Sequence, residues 1–197
     1  TMLDVDFGSY PFVTSSNTIC AGACIGLGIG PNKLGNVYGI MKAYCTRVGA
    51  GPFPTELFDK TGQTIRDLGH EYGAVTGRER RCGWIDLVLR YSIMINGVTE
   101  LIMMKSDVLD SFDTIKACVA YELPDGTQTR DFPYEIDNVK PIYQELSGWK
   151  TDMTQFTSEE QFPQTFKDYV NFLETELETP IGIISIGPDR KQTIVRK

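Results

Sequence analysis

The chain has 197 residues, 41% of them hydrophobic and 23% charged, which is enough chain and enough apolar content for one well-buried globular domain. Its formal charge of -7 argues against a broad electrostatic grip on nucleic acid or an anionic membrane, so an anionic ligand would need a local basic cluster. No apolar run approaches the roughly 20 residues that cross a bilayer and no basic, apolar, small-residue leader opens the chain, so a cytoplasmic setting is expected.

Five cysteines, Cys20, Cys24, Cys45, Cys82 and Cys118, are odd in number and scattered, which suits reduced thiols better than a disulfide framework. Cys20 and Cys24 lack the second Cys pair or His that a tetrahedral metal site requires. The chain opens on Thr1 without cap or turn chemistry, and truncation is the expectation that follows.

Taken in order, Thr14 to Pro31 is dense in small residues and reads as close-packed loop or backbone. It carries neither the Gly-Lys-Ser/Thr of a phosphate loop nor a third spaced glycine for dinucleotides. From Lys33 to Tyr44 the apolar residues fall at helical spacing, weakened by Gly35 and Gly39, and a loop-rich stretch then runs to Gly83. Trp84 to Asn96 predicts a helix closed by Gly97. Leu101 to Met104 predicts a buried strand, and Ile115 to Leu123 predicts another, followed by a Pro124-Asp125-Gly126 turn and a return strand over Thr127 to Asp131. Ser158 with Gln161 forms a capping-box pattern for a helix to about Glu178, whose core face comprises Phe166, Tyr169, Val170, Phe172, Leu173 and Leu177. Ile181 to Ile186 and Thr193 to Val195 predict two last strands. The expected fold is α/β: part of a mainly parallel sheet flanked by helices, with an antiparallel hairpin addition and few strands for a complete doubly wound domain.

Four segments could carry chemistry. In Gly73 to Trp84, three arginines among four residues stand between glycines in an acidic protein, and their guanidinium forks suit carboxylates and phosphates, although such a run also occurs on plain solvated surface. Lys105-Ser106-Asp107 follows a predicted buried strand, where open α/β sheets place ligands; an ionised Asp there can accept from the two adjacent donors on the guanine edge, and a Lys stem can lie across a base. Ser185-Ile186-Gly187-Pro188 ends another strand and could complete a base pocket through backbone groups. Val13 to Thr18 offers a row of donors that suits a phosphate, or equally caps a turn. His70, the single histidine, has no partner motif and reads as structural or surface rather than catalytic.

Read together, Ser9 to Thr18, Thr46 to Leu57, Thr76 to Trp84, Lys105 to Asp110, Pro141 to Tyr143 and Ser185 to Arg190 resemble the adenylosuccinate synthetase family, in the family's order and from end to end of the chain. The resemblance is to the C-terminal half, over residues 1–197. It implies a GTP-dependent ligase that forms adenylosuccinate from IMP and L-aspartate through 6-phosphoryl-IMP, with Mg2+, as a homodimer that takes neither nucleic acid nor membrane as partner. By the same resemblance, Thr14 holds the IMP phosphate and Val48 lies beside its ribose. Ala74, Val75, Thr76, Gly77, Arg78, Glu79 and Arg80 form the aspartate loop, in which Arg78 bridges aspartate and IMP and Arg80 reaches the GTP phosphates. Lys105, Ser106 and Asp107 read guanine, and Ser185, Ile186, Gly187 and Pro188 close its pocket. Val75 stands where the family often has Thr. The family's phosphate loop, catalytic Asp and His, and metal ligands have no counterpart in this sequence, so the chain alone is expected to be inactive. The competing expectation is a stand-alone, non-catalytic guanine-nucleotide binding module.

Overall fold

The computed structural model describes residues 1–133, 136 and 138–196. Its central sheet has the order β1 (Tyr38–Lys42), β5 (Glu100–Met104), β9 (Ile181–Ser185), β10 (Thr193–Val195). The first three strands are parallel and β10 returns antiparallel on β9. Apolar side chains Met41, Leu101, Met103, Ile181 and Ile184 are buried, in register with one another across β1, β5 and β9, whereas Ile40, which alternates with Met41 along β1, is 75% exposed. Between these strands the chain runs through β2 (Cys45–Arg47), α2 (Lys60–Leu68), β3 (Arg81–Gly83), β4 (Ile85–Asp86) and α3 (Leu89–Asn96), with α1 (Ala21–Leu27) preceding β1. β2 and β3 form an antiparallel pair.

A second sheet is built on β6 (Thr114–Glu122), which pairs β4 in parallel and β7 (Gln128–Thr129) and β8 (Lys140–Ser147) antiparallel. The expected hairpin forms at Pro124 to Gly126, where Gly126 takes φ 84° and the Leu123 N–H donates to Thr127 O at 2.8 Å. Its return strand stops at Thr129, because the Asp131 N–H turns to the Thr129 hydroxyl at 3.1 Å instead of the ladder. The expected mainly parallel α/β architecture with helices and antiparallel additions is therefore the one observed.

α4 (Gln164–Leu177) packs across the core with Phe166, Tyr169, Val170, Leu173 and Leu177 buried. The capping box on Ser158 exists but closes a 3-10 turn at Glu159–Gln161; Pro163, lacking an N–H, then stands at the N-cap of α4 itself. Phe166 meets Trp149 and Phe162 edge-on at centroid distances of 4.8 and 4.9 Å. The Tyr169 hydroxyl donates to Ala43 O at 2.7 Å, fixing α4 against the end of β1.

Four expectations need correction. Residues 38–42 are a strand, not a helix: Gly39 lies opposite Leu101, and a Cβ there would come within 2.9 Å of Leu101 and Val98 side chains, so pairing with β5 overrides the helical spacing. The small-residue stretch holds the short helix α1, closed by Gly28 in the left-handed region and with no residue buried. The stretch before Gly83 contains α2, capped by Asp59 accepting from the Gly62 N–H. Trp84 to Asn96 divides into β4 and then α3, which ends at left-handed Gly97 as expected.

Candidate functional site

The parallel strands β1, β5 and β9 end at Lys42, Met104 and Ser185, and at this edge the sequence supplies Lys42, then Lys105-Ser106-Asp107, then Ser185-Ile186-Gly187. Lys105 takes the left-handed conformation (φ 60°), which breaks the strand and starts a 3-10 turn over Ser106–Leu109. The buried Ser106 hydroxyl donates to Ser185 O at 2.8 Å, joining the two segments expected to read a base. The Ser185 hydroxyl donates to Gly187 O at 3.0 Å, and Ile186 N–H to Gln192 O at 2.9 Å, so the 185–188 turn is held from within. Gly187 cannot be replaced without movement, since a Cβ would stand 2.3 Å from Gln192 Oε1. Pro188 is exposed at the rim.

Burial raises the Asp107 carboxyl above its usual range, opposed by its own backbone N–H and the charge of Lys105. Behind it, burial pushes Asp110 up to about 6 while the Trp149 indole N–H and Met153 N–H oppose the shift and Asp107 and Asp152 add to it.

The centre of the site is a residue the sequence reading passed over. Glu71 has a fully buried side chain and accepts four hydrogen bonds. Oε1 takes Lys42 Nζ at 2.7 Å, the Tyr44 hydroxyl at 2.6 Å and Lys105 Nζ at 3.1 Å; Oε2 takes an Arg80 N–H at 2.9 Å. Burial alone would raise this carboxyl, but those donors hold it at about 2. The Lys105 ammonium also donates to Gly69 O, so in this structure the lysine leans onto the 69–71 turn. His70, at φ 49°, is exposed, and the turn it makes aims Glu71 inward. The signal was present in Gly69-His70-Glu71-Tyr72, immediately before the arginine segment, but nothing local to it says that its partners come from other strands.

The arginine segment is a hairpin. Tyr72 and Glu79 bridge antiparallel, the Gly73 N–H donates to Arg78 O and the Gly77 N–H to Gly73 O, both at 2.8 Å, and Gly77 supplies φ 63°. The tip from Ala74 to Glu79 is exposed, Val75 to 97%. The three arginines divide. Arg78 makes no side-chain hydrogen bond or ion pair among the described residues, Arg80 is on Glu71, and Arg81 is consumed in the fold. Arg81 engages Glu56 with two N–H groups, donates to Gly49 O and Gly51 O, and lies over the Phe53 ring at 5.6 Å.

Val48 is exposed and follows β2, whose pairing of Arg47 with Arg81 sets it at the root of this hairpin. Arg47 reaches across to the Ser9 hydroxyl at 3.1 Å, tying in the Thr14 loop. Thr14 is exposed and its hydroxyl donates to Leu3 O at 3.0 Å, within the loop. That loop hangs on buried Asp4, another residue not singled out by sequence. Burial would raise its carboxyl, but backbone N–H groups of Asp6, Phe7, Thr18 and Ile19 hold it below the usual range. All five cysteines are free thiols. Among the described residues no three or more His, Cys, Asp or Glu side chains come together as a metal-binding group. No helix is long and apolar enough to cross a membrane.

Fold and site together define an α/β protein that gathers cations, carboxylates and backbone acceptors at the carboxyl edge of a parallel sheet, the place where this class of fold binds its ligands. A family model described as adenylosuccinate synthetase matches residues 1–194. The chain belongs to the adenylosuccinate synthetase family. It is 77% identical to the adenylosuccinate synthetase of Phocaeicola vulgatus and 70% identical to that of Parabacteroides distasonis, in each case over all of this chain and 47% of the relative. It thus spans about half the length of the curated relatives it matches. The solved structure of a fully ligated adenylosuccinate synthetase from Plasmodium falciparum superposes with a TM-score of 0.95 at 43% identity, covering 100% of this chain and 48% of that one. A cyanophage S-2L succinoaminodeoxyadenylate synthetase, 17% identical with a TM-score of 0.57 and covering 98% of this chain and 43% of that one, shares the fold.

Proposed function

We propose that this chain is the C-terminal portion of a GTP-dependent ligase that joins IMP to L-aspartate to form adenylosuccinate, and that it supplies the guanine pocket and the aspartate loop. The observation that carries the base assignment is the 2.8 Å hydrogen bond from Ser106 to Ser185 O, which sets Asp107 beside the 185–188 turn at the ends of adjacent strands. In this reading the Asp107 carboxylate accepts from the guanine ring N–H and exocyclic amine, a pair of donors adenine does not have. Lys105 swings its stem over the base, and the backbone of Ser185 to Pro188 closes the pocket.

Arg78, with its fork unengaged, takes the aspartate carboxylate and bridges to IMP; Ala74 to Glu79 wrap the amino acid. Val75 in place of the family's frequent Thr leaves only backbone contact at that position. Arg80 reaches the GTP phosphates, Thr14 the IMP phosphate and Val48 the ribose. Transfer of the GTP γ-phosphoryl group to the 6-oxygen of IMP and displacement of phosphate by the aspartate amine then need a base, an acid and Mg2+ from elsewhere in a cytoplasmic, homodimeric enzyme. When bound, Mg2+ would neutralise charge on the transferring phosphates.

The test is Asp107→Asn in the full-length synthetase that contains this segment. The amide donates where the carboxylate accepted, so preference should move from GTP toward xanthosine triphosphate; unchanged GTP preference would remove Asp107 from the base pocket.

A further inference from the structure

We propose that Glu71 is a positioning residue that couples the two ends of the nucleotide site, holding the base-side Lys105 and the phosphate-side Arg80 on one buried carboxylate. The inference rests on the reading of Lys105 and Arg80 given above and adds a residue to it. The geometry is asymmetric. Oε1 is shared by Lys42, Tyr44 and Lys105, whereas Oε2 carries the Arg80 contact. The carboxylate is wholly enclosed, but the cations are not: the side chains of Lys42, Lys105 and Arg80 are 25%, 35% and 37% exposed.

Three cations around one anion leave an excess of positive charge facing outward, and the contact on Oε2 can be surrendered without stripping the carboxylate. An incoming phosphate can therefore draw Arg80 away while Lys42 and Tyr44 keep Glu71 ionised and in place. A buried carboxylate left without partners would be costly, and this arrangement avoids it. Arg80 remains tethered near the site throughout, because its backbone N–H donates to Glu71 O at 2.9 Å. Lys105 and Arg80 come from elements far apart in sequence, joined at the site by Glu71. Loss of the carboxylate would leave three cations repelling one another and neither nucleotide contact in register.

The experiment is Glu71→Gln in the full-length synthetase, with kcat and the KM values for GTP, IMP and aspartate measured alongside the melting temperature. The expected result is a rise of about tenfold in KM for GTP, with kcat within about threefold and KM for IMP and aspartate within about twofold. An unchanged KM for GTP would overturn the proposal. So would a lowered melting temperature with all parameters shifted together, which marks a merely structural residue. If Glu71→Gln does not fold, Glu71→Asp, which keeps the charge but withdraws it, is read by the same criteria. Asp107→Asn, run in parallel, separates the failures. If it redirects base preference while Glu71→Gln leaves GTP use intact, only the coupling role falls; if it does not, the guanine reading falls first.

Discussion

Two carboxylates of the site are driven in opposite directions, and each leaves a different mark on stability. Asp110 has a folded-state pKa of about 6, raised first by burial, so the fold favours its neutral form. Its contribution is fully present below its unfolded value of 3.8 and is lost as pH rises through about 6. Asp110→Asn is neutral at every pH and keeps an acceptor for the Trp149 indole, at the expense of the long 3.4 Å contact from Met153 N–H. We expect the variant to melt above the parent chain at pH 7 to 8, with the gap closing as pH falls from 6 toward 4; a gap independent of pH would contradict the assignment. Glu71 is the converse case: its folded value of about 2 lies below 4.5, so its contribution is present above pH 4.5 and lost as pH falls toward 2. The partners that fix these two states were not legible in the sequence. Lys42, Arg80 and Lys105 had to be brought to Glu71 by three separate elements, whereas Arg78 and Asp107 were singled out as candidates by motif and by position after a strand.

Among the elements, legibility followed the width of the apolar stripe. α4 was readable because five buried side chains repeat along one face, and β9 because it is a continuous apolar run. α2 was missed because only Gly62 and Ile65 are buried, too narrow a stripe for periodicity to register, although Asp59 three residues before Gly62 was a usable cap signal. β8 was missed because Pro141 argues against a strand; it is tolerated there since β8 pairs only β6 among the described strands and leaves one side without a ladder. The weight that α4 carries can be measured. Phe166 is fully buried between Trp149 and Phe162, and Phe166→Ala should lower the unfolding free energy by about 3 to 5 kcal/mol in urea titrations. A loss under about 1 kcal/mol would mean that the aromatic cluster repacks freely.

For the molecule as a whole, the two segments proposed to form the base pocket are joined within this chain by the Ser106 hydroxyl, whereas the base, the acid and Mg2+ of the proposed chemistry are assigned to other residues. The two halves of the proposed chemistry should therefore separate. By calorimetry the purified chain should bind GDP in preference to ADP, yet yield no adenylosuccinate from IMP, aspartate and GTP. Turnover would refute its dependence on other residues, and equal binding of both nucleotides would refute the base assignment. One further consequence follows from the cationic rim around Glu71. Lys42, Arg80 and Lys105 converge on Glu71 in a chain whose formal charge is -7, so the residues outside this cluster carry a larger net negative charge than the chain as a whole. The cluster is thus a local positive region in an otherwise acidic chain. A polyanion is repelled by the net charge of the chain and attracted by this cluster, which favours encounters from the sector the cluster faces. Salt screens the repulsion and the attraction alike, and the ionic strength of the surroundings thereby sets how sharply that sector is defined.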